Sequence, residues 1–563
     1  MSGNRAETTG RLLINAELSE KLDHFQTALD ARLLTIPALE KNMMVFGVAL
    51  ATCMEVGATT AVNVILPDME GNVGASADEA SWVITVYSTA FLCSLPLSVW
   101  FARRLGHRNH LVFSILLYAL GALGCFLSHE LSFLLFSRVV MGFGGGGLLA
   151  RGLVTLYRLF QGKARAKHAL LFASVITSSK AVMPLCFGAL TDWISWNTAF
   201  LVLVGIAIAA AAVIFLFMPQ NLAFHLDSPP PDVPGLSFLI AGVIAFQILV
   251  SRGEQDNWFG SMPMRVAFVI GLLCLAAFAW RDSNLKNPNP LLNLRLIVTE
   301  RPLSAGLGVA IVLGAMLSGS LYVLPQYLRS IEGYSATQTG GFFLVDGLAT
   351  VAGANLAINL MPRMKLTNIL LGAFLIFALG NFAFVYFLTG DTPGVIICLI
   401  LILHGFSIGM LLPGVSNLLL GQIDSRLLSF GAAIFLCFRQ LGVSIGVSAV
   451  VGWIDVRQTL HSSRLLDTAN RLDPNAAQLT RTLTGLLHGK GLTVNAASLG
   501  ADQLFSGLVN TQARLLAFID VFWALQFLGL VGVAFLVLHR GVPHAAKTAP
   551  KSEMPQAQEA IQV

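Results

Sequence analysis

Apolar runs about as long as a bilayer core is thick recur fourteen times along this 563-residue chain, with centres from near Ala51 and Phe91 to near Val443 and Leu528. About 20 consecutive apolar residues carry a helix across a hydrocarbon core. A spanning backbone must satisfy its own hydrogen bonds, and a helix does so within one segment. Only 12% of the residues are charged and mean hydropathy is +0.73, whereas soluble domains carry about 25% charged residues. The fold class expected is therefore an all-α polytopic membrane protein with about 14 transmembrane helices.

An even number of spans returns both termini to one side, and Lys and Arg mark the cytoplasmic side. Arg103, Arg104 and Arg108 follow the second span, and Arg158, Lys163, Arg165 and Lys167 the fourth. Arg281, Lys286, Arg295 and Arg301 follow the eighth, Arg363 and Lys365 the tenth, and Arg540 and Lys547 the last. Both termini are thus expected in the cytoplasm, with an N-terminal arm over 1–41 and a tail over 541–563. The arm has no continuous apolar stretch before a cleavage site, so no cleaved signal peptide is expected. The segment 455–512 is basic yet falls outside; long translocated loops escape the charge rule. Within it, "RLDPNAAQLTRTLTGLLHGKG" reads as short amphipathic helix and turn rather than a domain. Asp192 and Asp520 read as helix caps near the external surface.

Several function classes drop out. A formal charge of +5 in a chain this apolar sets orientation and argues for no nucleic-acid partner. The seven cysteines lie in apolar runs without metal-type spacing and read as small core hydrophobes. No metal site or cofactor is expected. "GLLHGKGLT" lacks phosphate-loop spacing, and HExxH is absent. With no soluble segment long enough for a catalytic domain, neither an enzyme nor an ATP-driven pump is expected. What remains is a secondary transporter.

Particular stretches narrow this further. "GATTAVNVILPDMEGNVG" followed by "SWVITVYSTAFLCSLPLSVWFARRLGHRN", then "FSRVVMGFGGGGLL", "DWISWNTAFLVLV", "EQDNWFGS" and "IFLCFRQLGVSIGVSAVVGWIDVRQTLHSSRL" together resemble the major facilitator superfamily, in its fourteen-span drug/proton antiporter branch of EmrB-like exporters. The resemblance implies a major facilitator fold: two pseudo-symmetric six-helix bundles (42–220 and 303–540) with two inserted helices in the linker 221–302. It implies alternating access and export of small molecules across the cytoplasmic (inner) membrane. A periplasmic adaptor and an outer-membrane channel are implied as partners in a cell with two membranes, the segment 455–512 being one docking candidate.

The departures from that family pattern are specific. GxLADRxGRR becomes "VWFARRLGHR": Arg104, Gly106 and Arg108 persist, while Arg103 stands at the acidic position. The branch's first-span acid is Ala58 here, and Glu55 lies about one helical turn earlier. GPxxGG shrinks to "MPLCFG", keeping Pro184 and Gly188. Arg138 and Gly142 match the fourth-span motif, and Arg151 is an extra arginine some 20 Å further along a continuous helix.

Charges inside spans cost about 2.5–3.5 kcal/mol each on insertion scales and need a reason. Those most clearly interior are Glu55, Arg151, Lys180, Asp346 and Arg439, with His404 as a neutral or titrating neighbour. Glu55 shares a helix face with Thr52, Thr59 and Asn63. It reads as a proton-coupling group, or as a static ion pair with Arg151 or Lys180. Asp346 reads as a second proton carrier, or as the partner of Arg439. Lys180 is too deep to reach either surface and reads as a substrate-binding or pairing cation. Arg151, Thr59, Asn63 and Arg439 complete the candidate substrate surface, with snorkelling as the alternative for Arg151. Two acids against three bases favour small amphipathic cargo that is acidic or zwitterionic. The competing readings are a multidrug/proton antiporter for lipophilic cations and a non-transporting sensor or scaffold.

Overall fold

In the computed structural model the described residues are 36–160, 162–219, 232–253, 256, 258–284, 291–292, 294–295, 297, 301–420, 428–468 and 474–538. Most of the arm 1–41, the tail 541–563 and the side chains of Arg103, Arg158, Lys163, Arg165 and Lys167 lie outside them. Among the described residues sixteen α-helices follow in chain order: α1 Ala38–Val73, α2 Ala77–Leu105, α3 His107–Leu127, α4 Leu131–Gly145, α5 Leu148–Leu159, α6 Gly162–Trp193, α7 Trp196–Phe217, α8 Val233–Arg252 and α9 Met262–Ser283. Then come α10 Arg301–Ser330, α11 Ala336–Leu360, α12 Leu366–Phe387, α13 Gly394–Leu420, α14 Leu428–Thr468, α15 Pro474–Gly489 and α16 Val494–Leu538. Among the described residues they supply 14 segments long and apolar enough to span a membrane, α4 and α5 together making the fourth. The protein is an all-helical, multi-pass membrane protein.

The two halves repeat each other. In the first, α1 packs on α6 and α7, α3 on α4 and α7, and α2 on α4; in the second, α10 packs on α14 and α16, α12 on α13 and α16, and α11 on α13. Those sets match pair for pair. Local chemistry repeats as well: Ser76 and Glu79 form a capping box at the start of α2, and Ser335 and Gln338 do so at the start of α11. Each box satisfies two backbone donors where a helix re-enters from its loop.

The halves meet through α6 against α11 and α2 against α14. Glycines let the first pair approach to backbone contact. A Cβ on Gly340 would lie 2.6 Å from the Leu185 Cα, and one on Gly188 2.6 Å from the Ala336 carbonyl carbon. Such close approach is how helices associate in lipid, where no hydrophobic force drives them together. The inserted hairpin α8–α9 rests on α2 and α14, and buried Gln247 bonds Ser444 and Ser448 of α14.

The fourth span is not one continuous helix. It breaks between α4 and α5, where Gly147 takes φ +92 and positions 144, 146 and 147 crowd against Tyr118, Ser94 and Ser98. Only glycine combines that backbone with such contacts. Within the segment 455–512, α15 and the turn after it are the helix and turn expected there, while α14 runs on to Thr468, α16 starts at Val494, and α15 packs against α16. Asp520 caps no helix; it pairs with Arg457 and His461 across α14 and α16. Cys53, Cys93, Cys125 and Cys437 are buried, but Cys186 is exposed.

After α9, the carboxylate of Asp282, 1% exposed, accepts from the backbone N–H groups of Leu291, Leu292 and Leu294 at 2.7, 3.2 and 2.8 Å. Asp282→Ala leaves three donors without an acceptor, at about 1–3 kcal/mol for each that stays buried. A thermal melt in detergent is expected to show a lower midpoint for Asp282→Ala than for the native protein, with Asp282→Asn between them because its amide oxygen still accepts.

Candidate functional site

The interior charges converge from both halves. Glu55, 5% exposed, sits on α1 and accepts from the Tyr87 hydroxyl of α2 at 3.3 Å. Gly145 of α4 closes on the same spot: a Cβ there would lie 3.0 Å from the Tyr87 hydroxyl and 3.3 Å from the Glu55 Cγ. The cations whose charge acts on Glu55 are Arg439 of α14 and Lys180 of α6. Lys180 in turn feels Arg439, Glu55 and Asp346. One lysine thus lies in the field of a carboxyl group from each bundle. Lys180 and Arg439 are both partly exposed, and among the described residues neither makes a direct ion pair. The Arg439 Nε is buried without a partner.

Asp346 is joined to His404 of α13, Oδ1 to Nδ1 at 2.8 Å, rather than to Arg439. The pairing expected as its alternative role is therefore replaced by a contact within the second bundle. Arg439 is held elsewhere, its carbonyl against Gly314 of α10.

Arg151 does not approach Glu55. Its guanidinium donates to the Ser98 carbonyl, and to the Ser98 hydroxyl at 3.4 Å, tying α5 to α2. The break after Gly145 turns this arginine away from the line that an unbroken helix would have given it. Arg138 is 2% exposed, donates from Nε to the Val83 carbonyl at 3.1 Å, and lies 4.3 Å over the Tyr87 ring. It therefore braces the tyrosine that holds Glu55.

The polar stripe of α1 is mostly self-satisfied. Thr59 donates to the Glu55 carbonyl at 2.7 Å and Asn63 to the Thr59 carbonyl at 3.0 Å. Their remaining lone pairs line the wall beside Glu55. Of the motif residues, Gly106 with φ +86 separates α2 from α3, and Gly142 packs on the Tyr87 carbonyl and Ala90. Arg104 is exposed and lies over Trp100. Arg108 lies over Phe215 and donates to the Met218 carbonyl at 3.4 Å, staying within the first bundle. Pro184 is buried inside α6, with Gly188 one turn on at the α11 contact.

At the face where α1 ends, two polar links join the bundles. Asp68 of α1 pairs with Arg329 of α10 at 2.7 Å, and Asp192 at the end of α6 accepts from the N–H groups of Ala336 and Thr337, which open α11. A carboxylate there meets the positive end of the helix. Together with the glycine contacts this closes the face that the charge rule assigns to the outside. Asp68 and Tyr87 lie in stretches that carry the family resemblance, but nothing in the sequence marked their roles or that of Arg329. Their roles come from partners tens to hundreds of residues away.

Comparison with known proteins agrees with this architecture. The Major Facilitator Superfamily model matches residues 48–447. The chain is 24% identical over 497 residues to Multidrug export protein EmrB of Escherichia coli K12, covering 88% of this chain and 94% of that one. It is 25% identical over 439 residues to Fatty acid resistance protein FarB of Neisseria gonorrhoeae, covering 78% and 85%. Among solved structures it resembles the peptide transporter POT with TM-score 0.60 at 13% identity, over 91% of this chain and 98% of that chain. A bacterial homologue of the lysosomal transporter Spinster, inward-facing, gives 0.55 at 13% identity, over 89% and 97%. Fourteen spans, two matching bundles and a family match running from the first span into α14 lead to one conclusion: the chain belongs to the Major Facilitator Superfamily.

Proposed function

We propose that this protein is a proton-coupled exporter of small amphipathic compounds carrying a carboxylate, working by alternating access in the cytoplasmic membrane with both termini inside. The observation that carries the reading is that Lys180 lies in the field of both interior acids, Glu55 and Asp346, and Arg439 in that of Glu55, without a direct ion pair to either acid among the described residues. Unpaired cations in an apolar interior are costly, and a carboxylate brought by cargo offsets that cost. Support also comes from the relatives, whose names refer to multidrug export and fatty acid resistance.

The signs of the charges decide what can be exchanged for a proton. A lone cation is repelled by Lys180 and Arg439. An anion beside a carboxyl group favours its protonated form, so a simple acid and a proton bind together. A zwitterion does otherwise: its carboxylate meets Lys180 and Arg439 while its cationic end takes the place of the proton on an interior acid. Zwitterionic amphiphiles are therefore the cargo exchanged against protons. Thr59 and Asn63 line the same wall, and Arg151 serves the α2–α5 contact.

The test uses everted vesicles whose lumen has been acidified, with matched panels of amphipathic zwitterions, acids and cations and a luminal pH dye. Protein-dependent proton release on adding zwitterions, absent with the matched cations, is the expected result. Release by cations alone overturns the proposal and favours the lipophilic-cation antiporter.

A further inference from the structure

We propose that Asp346 and His404 form a second proton-binding site, carried by the second bundle and separate from the Glu55–Tyr87 site of the first. The inference rests on the proton-coupled reading above and adds His404 to it. Asp346 is 8% exposed and His404 3%, and their side chains meet at 2.8 Å. The contact is held by the backbones behind it. A Cβ on Gly405 would lie 2.9 Å from the Asp346 carbonyl carbon and 3.0 Å from its Oδ1, and one on Gly409 would lie 2.8 Å from the Thr350 carbonyl carbon. Helices α11 and α13 therefore cannot drift apart at this level without losing their packing.

The second ring nitrogen of His404, Nε2, is buried without a partner among the described residues, and the Phe377 ring of α12 lies 5.5 Å from the imidazole. With Nδ1–H donating to Asp346, Nε2 is the free acceptor. A carboxylate beside a neutral imidazole carries one negative charge; one proton from water added at Nε2 makes a neutral imidazolium–carboxylate pair, and no other bond changes. A net charge costs more than a neutral pair in an apolar interior, and imidazole is the side chain whose charge ordinarily changes near neutral pH.

Of the charged groups, Lys180 of α6 lies in the field of Asp346, and also in those of Glu55 of α1 and Arg439 of α14. Without its proton the Asp346–His404 pair draws on Lys180. With the proton bound, Lys180 is released to Glu55 or to a cargo carboxylate. Each bundle then holds its own proton site, and the two report to one lysine.

The test is solid-state nitrogen NMR of the full chain in lipid bilayers, labelled at histidine, with the His404 signal identified by its loss in His404→Gln. On acidification from about pH 8 to about pH 5, the range in which imidazole ordinarily titrates, His404 is expected to gain an imidazolium signal. That signal is expected to persist in Glu55→Gln, to persist in Asp346→Glu, and to be lost in Asp346→Asn. A merely structural Asp346 would leave His404 equally affected in both Asp346 variants. A His404 that stays neutral throughout in the native protein, or whose imidazolium vanishes in Glu55→Gln, overturns the proposal. The measurement needs no cargo, so silence in the vesicle assay with a positive spectrum rejects the exporter reading alone.

Discussion

Lys180→Ala is expected to abolish zwitterion-triggered proton release in acidified vesicles, with Lys180→Arg retaining part of it. The lysine lies in the field of both interior acids. A unit charge facing a cargo carboxylate at contact distance is worth about 3 kcal/mol at the effective dielectric of a partly wet protein site. Its loss therefore weakens cargo binding roughly a hundredfold. Arginine keeps the charge but spreads it over a planar fork that does not seat as a lysine does. Removing the lysine also takes a positive charge from the field of both Glu55 and Asp346, so the same variant is expected to accept lipophilic cations that the native protein rejects. Measuring both cargo panels on one vesicle preparation checks the pair of effects together. Release that is indifferent to Lys180 removes the lysine from the site.

Gly340→Val is expected to lose transport by a different route, by keeping the two bundles apart at the face where α1 ends. A Cβ at position 340 lies 2.6 Å from the Cα of Leu185 and 2.6 Å from the Pro184 carbonyl oxygen, both backbone atoms that no rotamer change can move. Overpacking of this kind costs about 1–3 kcal/mol. Applied to the closed state alone, it shifts the balance toward the open one by roughly 5- to 150-fold. A cysteine placed at Asn63, buried on α1, reports the shift. In whole cells an impermeant thiol reagent is expected to label Asn63→Cys slowly, and Asn63→Cys with Gly340→Val much faster. Equal labelling rates would show that the α6–α11 contact does not close this face. Asp68, Arg329 and Asp192 add polar links to the same closure, but partly exposed ion pairs contribute little beside backbone contact.

Much was legible in the residues themselves, because membrane insertion is a local test. Each apolar run either is long enough to span or is not, and the Lys and Arg of short loops orient it without reference to any other part of the chain. The depth of Glu55, Lys180, Asp346 and Arg439 followed from the same count. The partners did not. Asp346 meets His404 because glycines of α13 bring two helices to backbone contact, and periodicity within one helix is blind to its neighbour. Arg151 goes to Ser98 because Gly147 turns the chain just before it, and a run of glycines spells packing, a bend or both until something fills the space alongside. By itself the sequence determined the number of spans and which charges lie inside them. Only the tertiary structure decided which of those charges share a field, because a side chain's partner is set by the distance between helices, and that distance depends on atoms contributed by both.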